Sequence, residues 1–212
     1  MSISAERIKH DLRKIEELSK SVNGRIRVKT TSGNPINVII LEINYPTVPS
    51  KDYPKKVQSM TEVKIELLSR YPFQEPSATI TTPVYHPNVY SSGKICFGAK
   101  WMPTQGLDLL VRRIIQIITF DKDILNEKSP ANAQALHWYR DLIRSNPSAF
   151  PTERLIFREN SRNQMRWTNK DACEDQKVLV SCDNCKASLR VPKDKHINVT
   201  CPKCNYKFFV KT

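Results

Sequence analysis

A histidine, an asparagine and a cysteine fall within eleven residues (His86, Asn88, Cys96) of a stretch that has no periodic pattern, Thr82 to Gly106, reading TPVYHPNVYSSGKICFGAKWMPTQG. A thiol nucleophile with a primary amide nearby suits acyl chemistry: the thiolate of Cys96 takes the acyl group, and an amide N–H of Asn88 stabilises the oxyanion of the tetrahedral intermediate. Pro83, Pro87 and Pro103 stiffen the backbone that carries them. A long irregular segment inside a compact domain is usually functional. Spacing alone leaves a second reading open, in which Cys96 is a small core residue and His86 a satisfied structural histidine rather than a general base.

The other reactive residues sit in the last 31 positions as Cys182-x-x-Cys185 and Cys201-x-x-Cys204, with fifteen residues between the pairs. Each C-x-x-C turns two thiolates to one side, and two such knuckles complete a tetrahedral site suited to Zn²⁺. Four protein ligands leave no open position, which makes the ion structural. An iron site or a redox pair is the competing reading. His196 is surplus as a fifth ligand and reads as a loop residue, and Cys173 reads as an incidental thiol in a polar linker.

These groups need elements to hold them. Ile8, Leu12, Ile15 and Leu18 recur on one face of an expected helix over Ser4–Lys20, with Arg7, Lys9, Lys14, Glu16 and Glu17 elsewhere on it. Strands are expected over Arg25–Thr30, Asn37–Asn44, Glu62–Leu68 and Ala78–Thr82, each rich in β-branched residues and closed by turn residues or proline. From Leu107 onward, Leu109, Leu110, Ile114, Ile117 and Ile118 predict a strongly apolar helix. Ser129-Pro130 opens a helix over Ala131–Arg144, with proline in its first turn, and a last helix is expected over Thr152–Trp167. In the tail, Ala187/Leu189/Val191 and Tyr206/Phe208/Val210 alternate as strands held together by metal. The order predicts an α+β domain: a four-stranded antiparallel meander with flanking helices, followed by a small β ribbon. Domain bounds of 1–168, a linker at 169–177 and a ribbon over 178–212 follow. No sequence repeat or low-complexity tract appears.

Length and composition restrict the function classes. The 212 residues suffice for one domain with an appendage, and a core of that size needs no disulfide staples. The longest apolar run, Val38-Ile39-Ile40-Leu41, is far too short for a bilayer span. The first residues lack the apolar core of a signal peptide, so a cytosolic setting is expected, where paired C-x-x-C motifs read as metal ligands. The net charge of +13 divides as +7 over residues 1–150 and +6 over 151–212. A glycine-rich phosphate loop is absent, with five glycines in all, so no sequence feature supplies ATP chemistry.

Tyr71-Pro72-Phe73-x-x-Pro76, Tyr85-His86-Pro87-Asn88-Val89, Gly93-Lys94-Ile95-Cys96, Trp101-x-Pro103 and Ser129-Pro130-Ala131-Asn132, in this order, resemble the ubiquitin-conjugating (E2) family. The resemblance covers about residues 4–168, including Arg7-Ile8-x-x-Asp11-Leu12 in the first helix. It implies the UBC-type fold and a conjugating transferase. Cys96 would accept the C-terminal glycine of a ubiquitin-like modifier from an E1-like activating enzyme, as a thioester. Asn88 would stabilise the oxyanion when a lysine of the target protein attacks, and His86 would hold the loop. Ser129 matches the gate of the incoming lysine, where a hydroxyl cannot act as a carboxylate would. Phe73 and Pro103 match the loops on which family members dock ligases; Arg7 and Lys9 match the helix side that meets the activating enzyme. The tail resembles zinc ribbons of the C-x-x-C…R-V-P…C-P-K-C type.

Two departures stand out. Four residues separate Cys96 from Trp101, fewer than in common eukaryotic members, and Ser50–Met60 (SKDYPKKVQSM) replaces the usual Tyr-x-Gly-Gly turn. They fit a divergent member, of the kind found in bacterial conjugation operons that include antiviral systems. Rival readings are a non-catalytic scaffold and a nucleic-acid-binding protein acting through the basic ribbon, whose charge of +5 falls to about +3 once four thiolates hold a zinc ion.

Overall fold

The computed structural model of the chain describes residues 3–155, 177–192 and 196–211. Two compact units divide it, Met1–Glu159 and Asn160–Thr212. No helix among the described residues is long and apolar enough to cross a membrane.

The first unit runs α1 (Ile3–Ser21), β1 (Ile26–Ser32), β2 (Val38–Ile43), β3 (Thr61–Glu66), β4 (Ser77–Ile80), α2 (Leu107–Ile118), a short 3-10 turn (Lys122–Ile124) and α3 (Ala133–Ser145). The strands form one antiparallel sheet in sequence order. Helix α1 ends where Asn23 and Gly24 take φ of 56° and 72°, and the amide N–H of Gly24 donates back to the Ser19 carbonyl at 2.8 Å. A left-handed residue after the last turn satisfies carbonyls the helix leaves open. Chain reversal into β1 follows at once.

Alternation places Ile39, Leu41 and Ile43 of β2, fully buried, opposite Ile65, Val63 and Thr61 of β3. The opposite face of the same strands turns Glu42, Glu62 and Lys64 outward, where they form ion pairs with Arg27, with Lys29 and with Glu66 respectively. Onto the inner face packs α2, whose Leu107, Val111, Ile114, Ile115, Ile117 and Ile118 are all fully buried. Ile8, Ile15 and Leu18 of α1 join the same core. A helix with so broad an apolar face has to bury it, and α2 does so in the core it shares with the sheet and α1.

The structure changes two expectations in the last third of this unit. Helix α3 begins at Ala133, not Ala131: Asn132 caps it, accepting the Ala135 N–H on its Oδ1 at 3.0 Å. A capping Asn satisfies an orphan donor and wins over Pro130 as the start. Nor are residues 152–155 helical. Thr152 donates its N–H to the Thr119 carbonyl at 2.9 Å, and Glu153 binds Arg25 through both carboxylate oxygens, so the segment is pinned across the sheet edge. The remainder of the expected Thr152–Trp167 helix, the 168/169 boundary, residues 169–176 of the linker and Cys173 lie outside the described residues.

A second, aromatic cluster gathers Val48, Phe120, Leu136 and Tyr139 with Tyr53, Tyr85, Trp138 and Phe150. Phe120 stands just after the C-cap of α2 with φ of 60° and is 1% exposed. That left-handed position usually goes to glycine; here its ring packs, tilted, with centroids 4.5 Å from Phe150 and 4.2 Å from His86. Packing has overridden backbone preference.

In the second unit, β5 (Lys177–Ser181) pairs with β6 (Ser188–Pro192), and β7 (His196–Thr200) with β8 (Lys207–Lys211), as two antiparallel hairpins. Lys177, read as the last linker residue, opens β5, and His196, read as a loop residue, opens β7.

Replacing Phe120 separates packing from strain. Phe120→Ala should lose about 3–5 kcal/mol of stability in urea melts, and Phe120→Gly should be about 1 kcal/mol more stable than the alanine variant because it relieves the left-handed backbone. An alanine variant at least as stable as the glycine variant would show that the backbone is not strained there.

Candidate active site and metal centre

After β4 the chain loses regular structure, yet the segment is sewn to the sheet. Ile80 donates its N–H to Gly93 O at 2.9 Å, Ile95 to Ala78 O at 2.9 Å, and Cys96 to Asn88 O at 2.8 Å. Gly93 has φ of 83°, and a Cβ there would lie 2.3 Å from the Ile80 carbonyl oxygen. Only glycine permits so close an approach. The thiol of Cys96 is free and half-buried, and it lines a cavity of about 420 Å³ with Leu68, Ala78, Tyr90, Lys94 and Phe97. Behind it, the Phe97 carbonyl accepts two hydrogen bonds from the Arg113 guanidinium on α2, at 3.1 and 2.8 Å.

His86 is buried and accepts the Asn88 N–H on Nδ1 at 2.9 Å. A neutral ring that accepts at Nδ1 carries its proton on Nε2. Desolvation lowers its pKa to about 3, so it is neutral at physiological pH and positions the loop.

Asn88 is also fully buried. Its Nδ2 donates to the Ile124 carbonyl at 3.0 Å and its Oδ1 accepts the Asn126 N–H at 3.0 Å. Asn126 in turn grips the backbone of Ser129, donating from Nδ2 to its carbonyl at 2.6 Å and accepting its N–H on Oδ1 at 3.1 Å. One chain of hydrogen bonds thus joins Cys96, Asn88, Asn126 and the exposed Ser129. The N-cap residue of α3 reaches the same motif, Asn132 N–H donating to Pro87 O at 3.0 Å. Sequence reading missed Asn126, Asn132 and Arg113. Asn126 lay just before the Ser129–Asn132 motif and Asn132 within it, and nothing local to Arg113 marks its role.

The expected docking residues have different surroundings. Phe73 is 76% exposed. Pro103 is half-buried, and the loops carrying the two residues are tied by the Trp101 indole, which donates to Pro72 O at 2.7 Å. Lys9 is exposed and pairs with Glu6. Arg7 has its guanidinium committed within the chain, to Asp11 at 2.7 Å, to Pro103 O at 2.9 Å and to Gln105 O. Asp11 is itself fully buried and also accepts the Tyr71 hydroxyl. Arg7 is therefore a strut between α1 and the 103–105 turn.

In the second unit, the Sγ atoms of Cys182, Cys185, Cys201 and Cys204 lie within 4.8 Å of one another. Cys182 and Cys204 stand 3.7 Å apart and Cys185 and Cys201 3.6 Å apart. A tetrahedron of thiolates at about 2.3 Å from a central ion has edges of about 3.8 Å, so this donor set fits a four-coordinate metal. Both knuckles are built alike. Lys186 and Asn205 follow the second cysteine of each in the left-handed region, their N–H groups donating to Cys182 O and Cys201 O at 2.9 and 2.8 Å. The backbone N–H of Tyr206, helped by the surrounding sulfurs and Asn184, lowers the Cys204 pKa to about 6.

A model of the ubiquitin-conjugating enzyme family matches residues 7–150. Human ubiquitin-conjugating enzyme E2 T is 30% identical over 117 residues, 54% of each chain. The Danio rerio protein of the same name is 25% identical over 138 residues, 65% of this chain and 63% of the relative. Ubiquitin-conjugating enzyme E2 of African swine fever virus (strain Badajoz 1971 Vero-adapted) is 27% identical over 104 residues, 43% of this chain and 46% of the relative. The matched stretch spans about half the length of these curated relatives.

The buried histidine sets a pH dependence. Its folded pKa lies below the unfolded value of about 6.5, so stability is full above pH 6.5 and falls as the pH drops toward 3, by about 2 kcal/mol at pH 5. His86→Asn should have a flatter profile across that window in denaturant titrations. Parallel profiles would mean that His86 is not the group being protonated.

Proposed function

Since the chain belongs to the ubiquitin-conjugating enzyme family, we propose that Cys96 accepts a ubiquitin-like modifier as a thioester and passes it to a lysine of a target protein. The observation that carries this reading is the hydrogen-bond chain from Cys96 through Asn88 and Asn126 to Ser129. It ties the backbones of Cys96 and Ser129 to Asn88, which supports a site that works by positioning rather than by a catalytic base.

In the first step the Cys96 thiolate attacks the carbonyl of the modifier's thioester on an E1-like activating enzyme, and the activating enzyme's own thiolate leaves. In the second, a lysine amine attacks the carbonyl held on Cys96. The oxyanion that forms collapses, the Cys96 thiolate departs, and the amine proton passes to water. A thioester is already activated, so placing amine, carbonyl and oxyanion donor together lowers the barrier enough. Asn88 has two Nδ2 hydrogens; Ile124 takes one, and the other is the donor for the oxyanion. Ser129 offers no carboxylate, so deprotonation of the lysine leans on desolvation and positioning.

Phe73 and Pro103 form the surface for a ligase, and Lys9 is one of the exposed cations of α1 that meet the activating enzyme. The excess of basic charge over residues 1–150 speeds encounters with acidic partners. Cys182, Cys185, Cys201 and Cys204 hold a structural zinc ion, and a reducing cytosol keeps these thiols and Cys96 available.

Incubation with an activating enzyme, a modifier and ATP should give an adduct that reductant removes, absent in Cys96→Ala and reductant-stable in Cys96→Ser. An unchanged adduct in Cys96→Ala, or no adduct with any cognate pair, would reject the reading. Asn126→Ala should slow single-turnover discharge to free lysine about tenfold, in line with the loss of a hydrogen bond or two, while loading of Cys96 changes much less. Metal analysis should find one equivalent of zinc per chain, lost in Cys182→Ser.

A further inference from the structure

Cys96 belongs to a short hairpin added to the edge of β4. Thr79 of β4 pairs antiparallel with Lys94, and Val89 with Ile95. The hairpin turns at Gly93, whose N–H donates to Tyr90 O at 2.9 Å, while the Tyr90 N–H donates to Lys94 O at 3.0 Å. Side chains alternate across such strands. Ala78, Val89 and Ile95 face inward and are buried, so Lys94 and Cys96 share the outer face, about 7 Å apart along one strand. Both line the same cavity, together with Tyr90, and Lys94 is exposed.

An amine that attacks the carbonyl on Cys96 enters past Ser129 and over Asn88. The residue before the gate, Lys128, is exposed. The one carboxylate of the gate segment 126–129, Glu127, is taken by Arg140 at 2.8 Å. Among the described residues neither Lys94 nor Lys128 forms an ion pair. Glu75 lines the cavity too, but it precedes β4, on the side of the thiol opposite Asn88. Two unpaired cations therefore flank the entrance. A lysine in neutral or basic surroundings brings more positive charge to them, whereas a lysine among carboxylates brings the charge that the entrance lacks. Such attraction acts chiefly on encounter, where complementary charge raises the rate of productive approach. We propose that Lys94 and Lys128 select the acceptor, directing transfer to lysines that lie in acidic segments of target proteins. This specificity rests on the thioester reading of Cys96.

The test is single-turnover discharge of the full chain, loaded at Cys96 with a modifier by an activating enzyme and ATP, to synthetic peptides. Each peptide carries one lysine, with aspartate, asparagine or arginine on either side of it. Rates at limiting peptide are divided by those of the same peptides with a small-molecule thioester, which removes differences in amine basicity. The aspartate peptide should exceed the asparagine peptide by about 1.4- to 5-fold for each lysine engaged, the range for exposed ion pairs, and the arginine peptide should be slowest. Salt at about 0.5 M should compress this order. Lys94→Glu and Lys128→Glu should each narrow the preference, the two together should reverse it toward arginine, and Lys94→Arg should keep it. A loaded chain that treats the peptides alike, or a doubly charge-reversed variant that still favours aspartate, would overturn the proposal and leave the thioester chemistry standing. A chain that never loads would overturn both.

Discussion

Asn88 is the residue through which the active-site loops hold one another. A buried primary amide without partners costs several kilocalories per mole in lost hydration, so its donors and acceptor fix where neighbouring backbone can lie. Its carbonyl oxygen takes the Asn126 N–H, one amide hydrogen goes to Ile124, its own N–H goes to His86, and its backbone carbonyl holds Cys96. Three stretches of chain, 86–88, the one around Cys96 and 124–126, thus meet at one residue. The neutral His86 ring completes the arrangement because it accepts at Nδ1; a charged imidazolium would donate there and release the Asn88 N–H.

The same principle governs the supports further out. Arg113 reaches from α2 to the Phe97 carbonyl, and Arg7 from α1 to the Pro103 and Gln105 carbonyls. In both cases a guanidinium fixes the irregular segment by its backbone. Loops have few apolar side chains to bury, and a planar donor with several N–H groups can satisfy adjacent carbonyls at once. Polar clamps at fixed points do what packing does in the sheet.

Sequence reading recovered the parts whose signal is local. The β-branched run in Val38–Ile43, the recurrence of apolar groups every three or four residues in α1 and α2, and the spacing of the four ribbon cysteines each reflect a local pattern of one element. What escaped it depends on contacts between distant segments. Nothing near Phe120 announces a left-handed phenylalanine, because the reason is the aromatic cluster around it. Arg7 looked like an exposed charge until the 103–105 turn folded against it. Residues 152–155 read as the start of a helix, but Thr119 and Arg25 compete for their polar groups and hold them out of one.

The ribbon shows how a fold can repeat while its sequence does not. Lys177 and His196 open the hairpins, Cys182 and Cys201 start the knuckles, Cys185 and Cys204 end them, and Lys186 and Asn205 turn left-handed, every pair nineteen residues apart. Beyond the cysteines only Val180 with Val199 and Val191 with Val210 share an identity at this spacing, because so small a unit has little core to specify. Among its described side chains only Cys182, Val191, Cys201 and Val210 are buried, one cysteine and one valine from each hairpin. Four thiols around one point therefore replace most of the apolar core that a larger domain would need. Because the four-cysteine cluster and not the strand faces gathers the buried side chains, the outer positions are free to differ between the copies. Phe209 on the second hairpin stands where the first has Arg190, and that freedom is what lets one hairpin carry an exposed aromatic between lysines.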